Sequence, residues 1–357
     1  MAGEIVITGG AGFIGTTLAR QLVDAGHSPL VIDSLHPQVH KRPGRPERLP
    51  EGVELWPFDV TVPSGWDALL KLVRPSAIVH LAAETGTGQS LSEATRHGSV
   101  NVVGTTQLLD ALTRADHVPD HLVLSSSRAV YGEGAWEVDG EVYYPEARSH
   151  DQLAAGQWQC EDSSGRIGAP IPAVAGETRT EPTNIYAATK LAQEHIFKAW
   201  GAARGAAVSV LRFQNVFGVG QALDNPYTGV LSIFTAQALK GETLNVFEDG
   251  EILRDFVYVE DVASAVAASL ASPPERARTL DIGAGSSTTI LETAQTIARL
   301  AGAPEPSVSG AFRDGDVRAA SCSITAAQEV IGYEPAWSLT RGLEALVDGA
   351  REVLDRS

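Results

Sequence analysis

The chain has 357 residues, 43% of them hydrophobic and 20% charged, which is the composition of a globular protein with room for a sizeable core. Its net charge of −17 argues against a nucleic-acid partner, since the only basic run is the short stretch 41–48. The two cysteines, Cys160 and Cys322, fit neither a disulfide framework nor a zinc site, so no metal is expected. Without a signal peptide or a membrane-spanning apolar run, a cytoplasmic protein is expected.

The first part of the chain alternates apolar runs with segments of helical spacing. The predicted strands are Glu4–Thr8, Pro29–Ile32, Glu54–Phe58, Ala77–Leu81, His121–Ser125 and Ala207–Phe213. The predicted helices are Phe13–Ala25, Trp66–Val73, Ser99–Ala115 and Ile185–Ala203. Such alternation predicts an α/β fold, in which a doubly wound parallel sheet of the Rossmann type is covered by helices on both faces.

Two regions depart from this alternation. Segment 133–183 is rich in Gly, Pro, Ser and charge and has no sustained period, so it is expected to be a functional or surface excursion. Beyond residue 213, helical patterns recur at Val230–Lys240, Val259–Leu270, Ile290–Leu300 and Leu339–Val353. We therefore expect a Rossmann domain over 1–213, including the insert and the helix 185–203, and a smaller α/β lobe over 214–357 interleaved with it.

A glycine-rich turn follows the first predicted strand and opens the first helix. Gly10, Gly12 and Gly15 fit the dinucleotide fingerprint, which brings the backbone close to a pyrophosphate at the positive end of the helix. Asp33 ends the second strand about 20 residues later, where it can accept hydrogen bonds from ribose hydroxyls. Because an acid repels a 2′-phosphate, NAD is favoured over NADP.

Further cofactor contacts are expected at the ends of the neighbouring strands. Asp59 and Val60 follow the third strand, where they are candidates for the adenine edge. The small residues Ala82 and Ala83 follow the fourth strand, where the cofactor passes. The remaining candidates for cofactor contact are Gly9, Phe13, Ile14, Leu81, Ser125 and Phe213.

A candidate catalytic pair opens the predicted helix 185–203. Tyr186 and Lys190 are four residues apart and project from one helix face. A lysine ammonium one turn away favours the phenolate of a tyrosine, whose pKa is ordinarily near 10. Such a phenolate is a general base for a sugar hydroxyl. Ser127, in a run of three serines at a strand end, is placed to donate to a developing oxyanion.

Together these motifs resemble one known family. The order GGAGFIG, HLAAETG, SSSRAVYG, YAATK and RDFVYVEDVA is similar to that of the extended short-chain dehydrogenases/reductases, the nucleotide-sugar epimerases and dehydratases. The resemblance implies a catalytic set of Ser127, Tyr186 and Lys190. It also implies a Rossmann domain with bound NAD and a small C-terminal lobe that holds a nucleotide sugar.

The residues after Ser127 narrow the reaction. Dehydratases of this family carry an Asp-Glu pair there, whereas this chain has Arg128 and Ala129. Oxidation at C4 and return of the hydride to the other face, which is C4 epimerisation, is therefore expected. Stretches 82–90, 126–134, 220–234 and 247–262 resemble dTDP-L-rhamnose 4-epimerases and related 6-deoxysugar epimerases. UDP-hexose or UDP-glucuronate epimerases, reductases, decarboxylases and dehydratases remain alternatives, as does a non-catalytic NAD-sensing regulator.

The resemblance also suggests substrate contacts, and the arginines among them suit a diphosphate. The candidates are Thr85, Ser127, Arg128, Asn215, Tyr227, Arg254 and Arg313, with Arg318 serving instead of or beside Arg313. Four aromatic residues of the insert either line the sugar pocket or anchor the insert: Trp136, Tyr143, Tyr144 and Trp158. Relatives commonly pair through the helices near 99–115 and 185–203, so a homodimer is expected.

Overall fold

The computed structural model describes residues 4–40, 44–223 and 229–355. Its strands are β1 (Ile5–Thr8), β2 (Leu30–Asp33), β3 (Glu54–Pro57), β4 (Ala77–His80), β5 (His121–Ser127), β6 (Trp136–Val138), β7 (Glu141–Tyr143), β8 (Ala169–Pro170), β9 (Ala207–Phe213), β10 (Asn215–Phe217), β11 (Asn245–Val246), β12 (Leu253–Arg254), β13 (Phe256–Tyr258), β14 (Ala277–Ile282), β15 (Thr288–Thr289), β16 (Ser307–Val308) and β17 (Ala319–Ala320).

The α-helices are α1 (Phe13–Asp24), α2 (Pro63–Leu72), α3 (Thr87–Ser92), α4 (Ala94–His97), α5 (Gly104–Arg114), α6 (His150–Ala154), α7 (Ile185–Arg204), α8 (Val230–Leu239), α9 (Val259–Ala271), α10 (Ile290–Ala301), α11 (Thr325–Ile331) and α12 (Leu339–Asp355). A π-helical turn, Gly98–Val103, joins α4 to α5, and a 3₁₀ turn, Arg128–Tyr131, follows β5. In the part of the chain that is described, no helix is both long and apolar enough to cross a membrane.

A seven-stranded sheet in the order β14-β9-β5-β4-β1-β2-β3 forms the centre of the fold. Every neighbouring pair in it is parallel, which confirms the expected doubly wound α/β architecture. The strand order reverses between β1 and β4, and in such sheets ligands bind in the crevice at that point. The seventh strand, β14, was not predicted from the sequence. It joins the sheet from within segment 214–357.

Alternating side chains of the sheet feed two separate hydrophobic cores. In β1, Ile5 and Ile7 pack into the core beneath α1 and α9, whereas Val6 packs into the core beneath α2, α5 and α7. A third core fills the small lobe between α8, α10 and α12, around Phe217 and Leu343. Both faces of the sheet are thus covered, and its carboxyl edge is left for ligands.

The insert is more ordered than its sequence suggests. Its short strands β6, β7 and β8 form an antiparallel sheet, and α6 follows β7. The buried Arg148 ties it to the small lobe by donating to Glu248 Oε2 at 2.8 Å and to the Asp316 carbonyl at 2.8 Å. Strands of two or three residues are too short to produce a readable period. The insert is therefore fixed by these contacts rather than by patterning.

Replacing Arg148 by Met is expected to destabilise the fold by about 3 kcal/mol, because acidic groups are then left buried with too little compensation. The control is Arg166→Met in the same insert, whose side chain is 41% exposed and pairs with Glu141 and Asp162. Exposed ion pairs contribute little to stability, so this variant is expected to lower the free energy of unfolding much less than Arg148→Met does. Urea unfolding of both variants measures the difference, and equal losses would contradict the anchoring role of Arg148.

Candidate active site

The turn from β1 into α1 forms a cradle that only glycines allow. Gly9 has φ +64°, and a Cβ there would lie 2.7 Å from the backbone nitrogen of Ala82. A Cβ on Gly15 would collide with the backbone of Gly10, so α1 packs directly on the turn. Gly12 caps α1 without a side-chain hydrogen bond, which leaves N–H groups of the first turn available. This geometry suits a diphosphate.

Asp33 lies at the end of β2 beside this cradle. Its Oδ2 accepts from the N–H of Ala11 at 3.1 Å and its Oδ1 from the N–H of Leu35 at 2.9 Å. The carboxylate is thus fixed with lone pairs to spare for a ribose. Asp59, after β3, uses Oδ1 to accept from both the backbone and the hydroxyl of Thr61, each at 2.8 Å.

A buried histidine at the end of β4 sets the next segment. His80 Nδ1 lies 2.7 Å from Thr8 Oγ1, and its Nε2 lies 3.0 Å from Thr105 Oγ1. Burial lowers the pKa of His80 to about 3, so the ring is neutral. Thr8 Oγ1 accepts from the N–H of Ala82 at 3.2 Å, which holds the segment Leu81–Ala83 beside β1. His80 was not predicted as a site residue from the sequence, because a histidine at a strand end has no distinctive pattern.

The three serines of β5 have three different environments. Ser125 donates to the His80 carbonyl at 3.1 Å, and Ser126 donates to Glu194 Oε1 at 2.6 Å. Ser127 Oγ accepts from the N–H of Ala129 at 3.2 Å and also hydrogen-bonds the Tyr186 side chain. Only Ser127 therefore meets the candidate base.

Tyr186 lies in the first turn of α7, which Asn184 caps by accepting from the Ala187 N–H at 2.9 Å. Burial raises the pKa of Tyr186, while the Ser127 hydrogen bond and the charge of Arg128 oppose the rise. The structure thus brings the predicted serine and tyrosine together. It also gives Arg128 an electrostatic effect on the phenol that the sequence analysis had assigned to Lys190.

Lys190 is almost completely buried one turn further along α7. Burial lowers the pKa of its ammonium to about 7, and the nearby Glu194 only partly compensates. Glu194 itself is held by Arg212, whose Nε and second terminal nitrogen donate at 2.9 and 2.8 Å. The amino group of Lys190 is therefore partly neutral near pH 7 in the protein without a ligand.

Two arginines converge on the other side of the cleft. Arg254, at the end of β12, is buried and donates to the carbonyls of Leu253 and Val317 at 2.7 and 2.8 Å. Burial and the charge of Arg128 lower the pKa of Arg254 to about 9. Burial also lowers the pKa of Arg128, for which the described residues provide no hydrogen-bond acceptor. The charges of Asp316 and Glu133 oppose this lowering for both arginines, so the cleft combines two cations with two nearby carboxylates.

The remaining substrate candidates divide. Asn215, next to Phe213 and the end of β9, has a buried Oδ1 without a hydrogen-bond partner among the described residues, as a ligand-binding group would. Thr85 and Arg313 are exposed. Arg318 is not free to act in place of Arg313, because it forms a bidentate ion pair with Asp249 at 2.7 and 2.8 Å. Tyr227 lies outside the described residues.

The aromatic residues of the insert act as anchors. Trp136 is buried against Cys160 and Ala319, and Tyr143 donates to the Cys160 carbonyl at 3.1 Å. The Trp158 ring lies 6.3 Å from that of Phe312 in the small lobe. Tyr144 packs under Arg179, also within the insert. Of the two roles left open by the sequence, the described contacts favour anchoring for all four.

Comparison with known proteins adds a family. The family model described as the NAD dependent epimerase/dehydratase family matches residues 5–152 and 162–283. The chain is 48% identical to a dTDP-L-rhamnose 4-epimerase of Burkholderia thailandensis, an alignment that covers 99% of this chain and 96% of the relative.

Solved structures agree with that match. The UDP-glucose 4-epimerase of Thermotoga maritima, solved with UDP-glucose, is 28% identical, with a TM-score of 0.78 over 98% of this chain and 99% of that one. The UDP-glucose 4-epimerase of Thermus thermophilus, solved with NAD, is also 28% identical, with a TM-score of 0.77 and the same coverage. The expected family and fold are thereby confirmed.

Lys190→Met is expected to stabilise the cofactor-free fold, because it removes a buried ammonium. Since the folded-state pKa lies near 7 and the ordinary value is 10.5, the gain is largest below pH 7 and shrinks as pH rises from 7 to 10.5. Urea unfolding across this range measures it. The exposed Lys240→Met is the control and is expected to change stability by less than about 0.5 kcal/mol at every pH. A stability change that does not depend on pH would contradict the lowered pKa assigned to Lys190.

Proposed function

Since the chain belongs to the NAD dependent epimerase/dehydratase family, we propose that it is a nucleotide-sugar 4-epimerase acting on a dTDP-6-deoxyhexose such as dTDP-L-rhamnose. The observation that carries this proposal is the hydrogen bond between Ser127 and Tyr186. The two residues after Ser127 in the chain are Arg128 and Ala129, so neither is an acid. Without an acid beside the base, removal of water from the sugar lacks its proton donor. Oxidation and reduction at one carbon remain.

The residues of the cradle fit NAD. The glycine contacts of Gly9 and Gly15 leave backbone N–H groups for a pyrophosphate, and Asp33 offers a carboxylate for the adenosine ribose. Its negative charge disfavours the 2′-phosphate of NADP. When bound, NAD supplies a reversible hydride acceptor at the sugar carbon.

The side chains handle the proton. Tyr186 takes the proton of the sugar 4-hydroxyl, and Ser127 donates to the same oxygen as its charge changes. Arg128 stabilises the phenolate form by its charge, offsetting the burial that raises the pKa of Tyr186. After the 4-keto sugar turns over, Tyr186 returns the proton to the oxygen, so the cycle has no net redox change.

Binding is concentrated on the nucleotide diphosphate. Arg128 and Arg254 supply two repelling cations, and an anion would relieve that repulsion. Asn215 supplies a buried amide oxygen without a partner among the described residues, which can accept a hydrogen bond from a donor of the nucleotide sugar. Arginine pairs well with phosphate oxygens because its donors form a planar fork. Holding the diphosphate tightly and the sugar loosely lets the keto intermediate present its other face.

The decisive experiment is proton NMR of the purified protein with dTDP-L-rhamnose and no added NAD. A second nucleotide sugar with an inverted hydrogen at C4, rising to a fixed equilibrium ratio, supports the proposal. Parallel samples contain UDP-glucose or UDP-glucuronate. If only the UDP-sugar samples are converted, the substrate is a UDP-sugar and not a dTDP-sugar. Release of carbon dioxide would indicate a decarboxylase, and a requirement for reduced cofactor would indicate a reductase.

Tyr186→Phe is expected to lower turnover by at least about a thousandfold, because the variant cannot accept the proton. Bound NAD should be retained, since the phenol oxygen is the only atom removed. The matched control is Tyr144→Phe in the insert, expected to keep turnover within about twofold. A Tyr186→Phe enzyme with unchanged turnover would assign the base elsewhere.

We also propose that the chain functions in the cytoplasm as a homodimer that pairs through α5 and α7 and their neighbouring turns. Both cysteines are free and buried, which suits a reducing compartment. Val103 and Leu91, on the segment leading into α5, are 45% and 60% exposed, so they are available to pack against a second chain at this surface.

Val103→Asp is expected to shift the mass measured by light scattering from that of two chains toward that of one. The reason is that a carboxylate would be buried in the pairing surface. Val330→Asp, at a similarly exposed valine on α11, serves as the control and should leave the mass unchanged. A wild-type mass near that of a single chain would reject the dimer.

A further inference from the structure

Two segments at the carboxyl edge of the sheet, one after β2 and one after β4, meet through a reciprocal pair of glutamines. Gln38 Nε2 donates to Gln89 Oε1 at 3.1 Å, and Gln89 Nε2 donates back to Gln38 Oε1 at 3.3 Å. Gln38 follows β2, whereas Gln89 lies in α3 after β4. Because β1 lies between β2 and β4, this pair spans the strand that carries the cradle.

The position of the pair matches the path of a dinucleotide. The adenosine half of a bound dinucleotide lies toward Asp33 at the end of β2, and the reacting half lies toward β4 and β5, where Tyr186 is found. A connection from the β2 loop to the β4 loop must therefore cross the groove between those two halves. The loops would have to separate before the dinucleotide could leave.

A second contact reinforces the first. The Arg96 guanidinium lies 3.5 Å from His36 Nδ1 of the β2 loop and forms ion pairs with Glu84 and Glu93, both at 2.9 Å. His36 Nδ1 also accepts from the Gln38 N–H at 3.2 Å. The β2 loop is thus attached at two points to the segment that follows β4.

That segment is itself attached to the catalytic helix. Asn101, fully buried in the π-helical turn, accepts from the Glu84 N–H at 2.7 Å and donates to the Glu84 carbonyl at 3.0 Å. Its amide also donates to Thr189 Oγ1 at 2.9 Å, on α7 between Tyr186 and Lys190. The base of the β4 loop is therefore rigid and shared with the helix that carries Tyr186.

We propose that Gln38 and Gln89 form a clasp that closes over bound NAD and retains it through repeated turnovers. Leaving requires both amide hydrogen bonds to break. Gln89 is 2% exposed and its Nε2 also donates to Glu93 Oε1 at 3.0 Å, so opening the clasp leaves its buried Oε1 without the Gln38 donor while Glu93 keeps the side chain in place. An enzyme that returns its cofactor to the starting state each cycle has no need to release it. The proposal rests on NAD binding and not on the identity of the sugar.

The test measures NAD release from Gln38→Ala, Gln89→Ala and the double variant. Each purified protein is assayed for NAD per chain, and its NAD dissociation rate is followed after dilution into a scavenging enzyme that destroys free NAD. We expect release about tenfold faster than in the wild type. The double variant should match the single ones, because each breaks the same clasp. Gln38→Glu, which keeps the acceptor but not the donor, should be intermediate.

Gln328→Ala on α11 is the control and should release NAD at the wild-type rate. Thermal unfolding of the NAD-free proteins is measured alongside, and Gln38→Ala, which leaves the buried contact of Gln89 with Glu93 intact, should unfold close to the wild type while releasing NAD faster. That comparison separates retention from general stability. Unchanged release in the double variant, or additive effects of the two single variants, would overturn the clasp. If the variants release NAD quickly and keep epimerase activity, both the clasp and the proposed function are supported. If the wild type releases NAD slowly, the variants release it quickly and no nucleotide sugar is converted, the clasp is supported and the proposed function is rejected.

Discussion

The buried carboxylate of Glu194 fixes the catalytic helix on the sheet. It accepts from Ser126 of β5 at 2.6 Å and from Arg212 of β9 in a two-point contact, so one side chain of α7 is tied to two neighbouring strands. Although burial alone would raise the pKa of Glu194, these donors hold it below its usual range. A charge buried in this way is tolerated only with its partners in place, which fixes the register of α7.

That register determines the chemistry. Two turns before Glu194, Tyr186 meets Ser127 at the end of β5, and one turn before it, Lys190 is buried beside the same carboxylate. Thr189, between them, receives Asn101 and so connects α7 to the loop after β4. Tyr186, the loop after β4 and the sheet are consequently positioned relative to one another by one helix. A shift of α7 along the sheet would disturb all three.

The cleft contains two buried arginines, although the chain as a whole is strongly negative. The chain has a net charge of −17, yet Arg128 and Arg254 face each other in the cleft, where burial lowers the pKa of both and the charge of Arg128 lowers that of Arg254 further. Such groups are costly without a ligand, and an anionic diphosphate would remove the cost. Under the proposed function, relief of this repulsion would favour binding of the nucleotide diphosphate.

The sequence predicted the parts of the site that depend on local pattern. The glycine turn, Asp33 and the Tyr186–Lys190 pair each lie within one strand, turn or helix, and the strand alternation predicted the sheet. The partners that modify them were not predictable, because they join residues far apart in the chain. Arg128 reaches Tyr186 from 58 positions away. Asn101 acts from a π-helical turn, which has no sequence signature.

The structure of the insert and the contact between the segments after β2 and β4 were not predictable for the same reason, because they depend on residues far apart in the chain. Strands of two or three residues in 133–183 have no period, and the side chain of Arg148 links the insert to Glu248 and Asp316. Gln38 and Gln89 have no distinctive local sequence pattern. Their proximity depends on the strand order, in which β1 lies between β2 and β4. Epimerisation needs a firmly held cofactor and a sugar free to turn. The described contacts join the segments after β2 and β4 to one another and to α7. Under the proposed function, the rigid part of the site is therefore the part that would hold the cofactor.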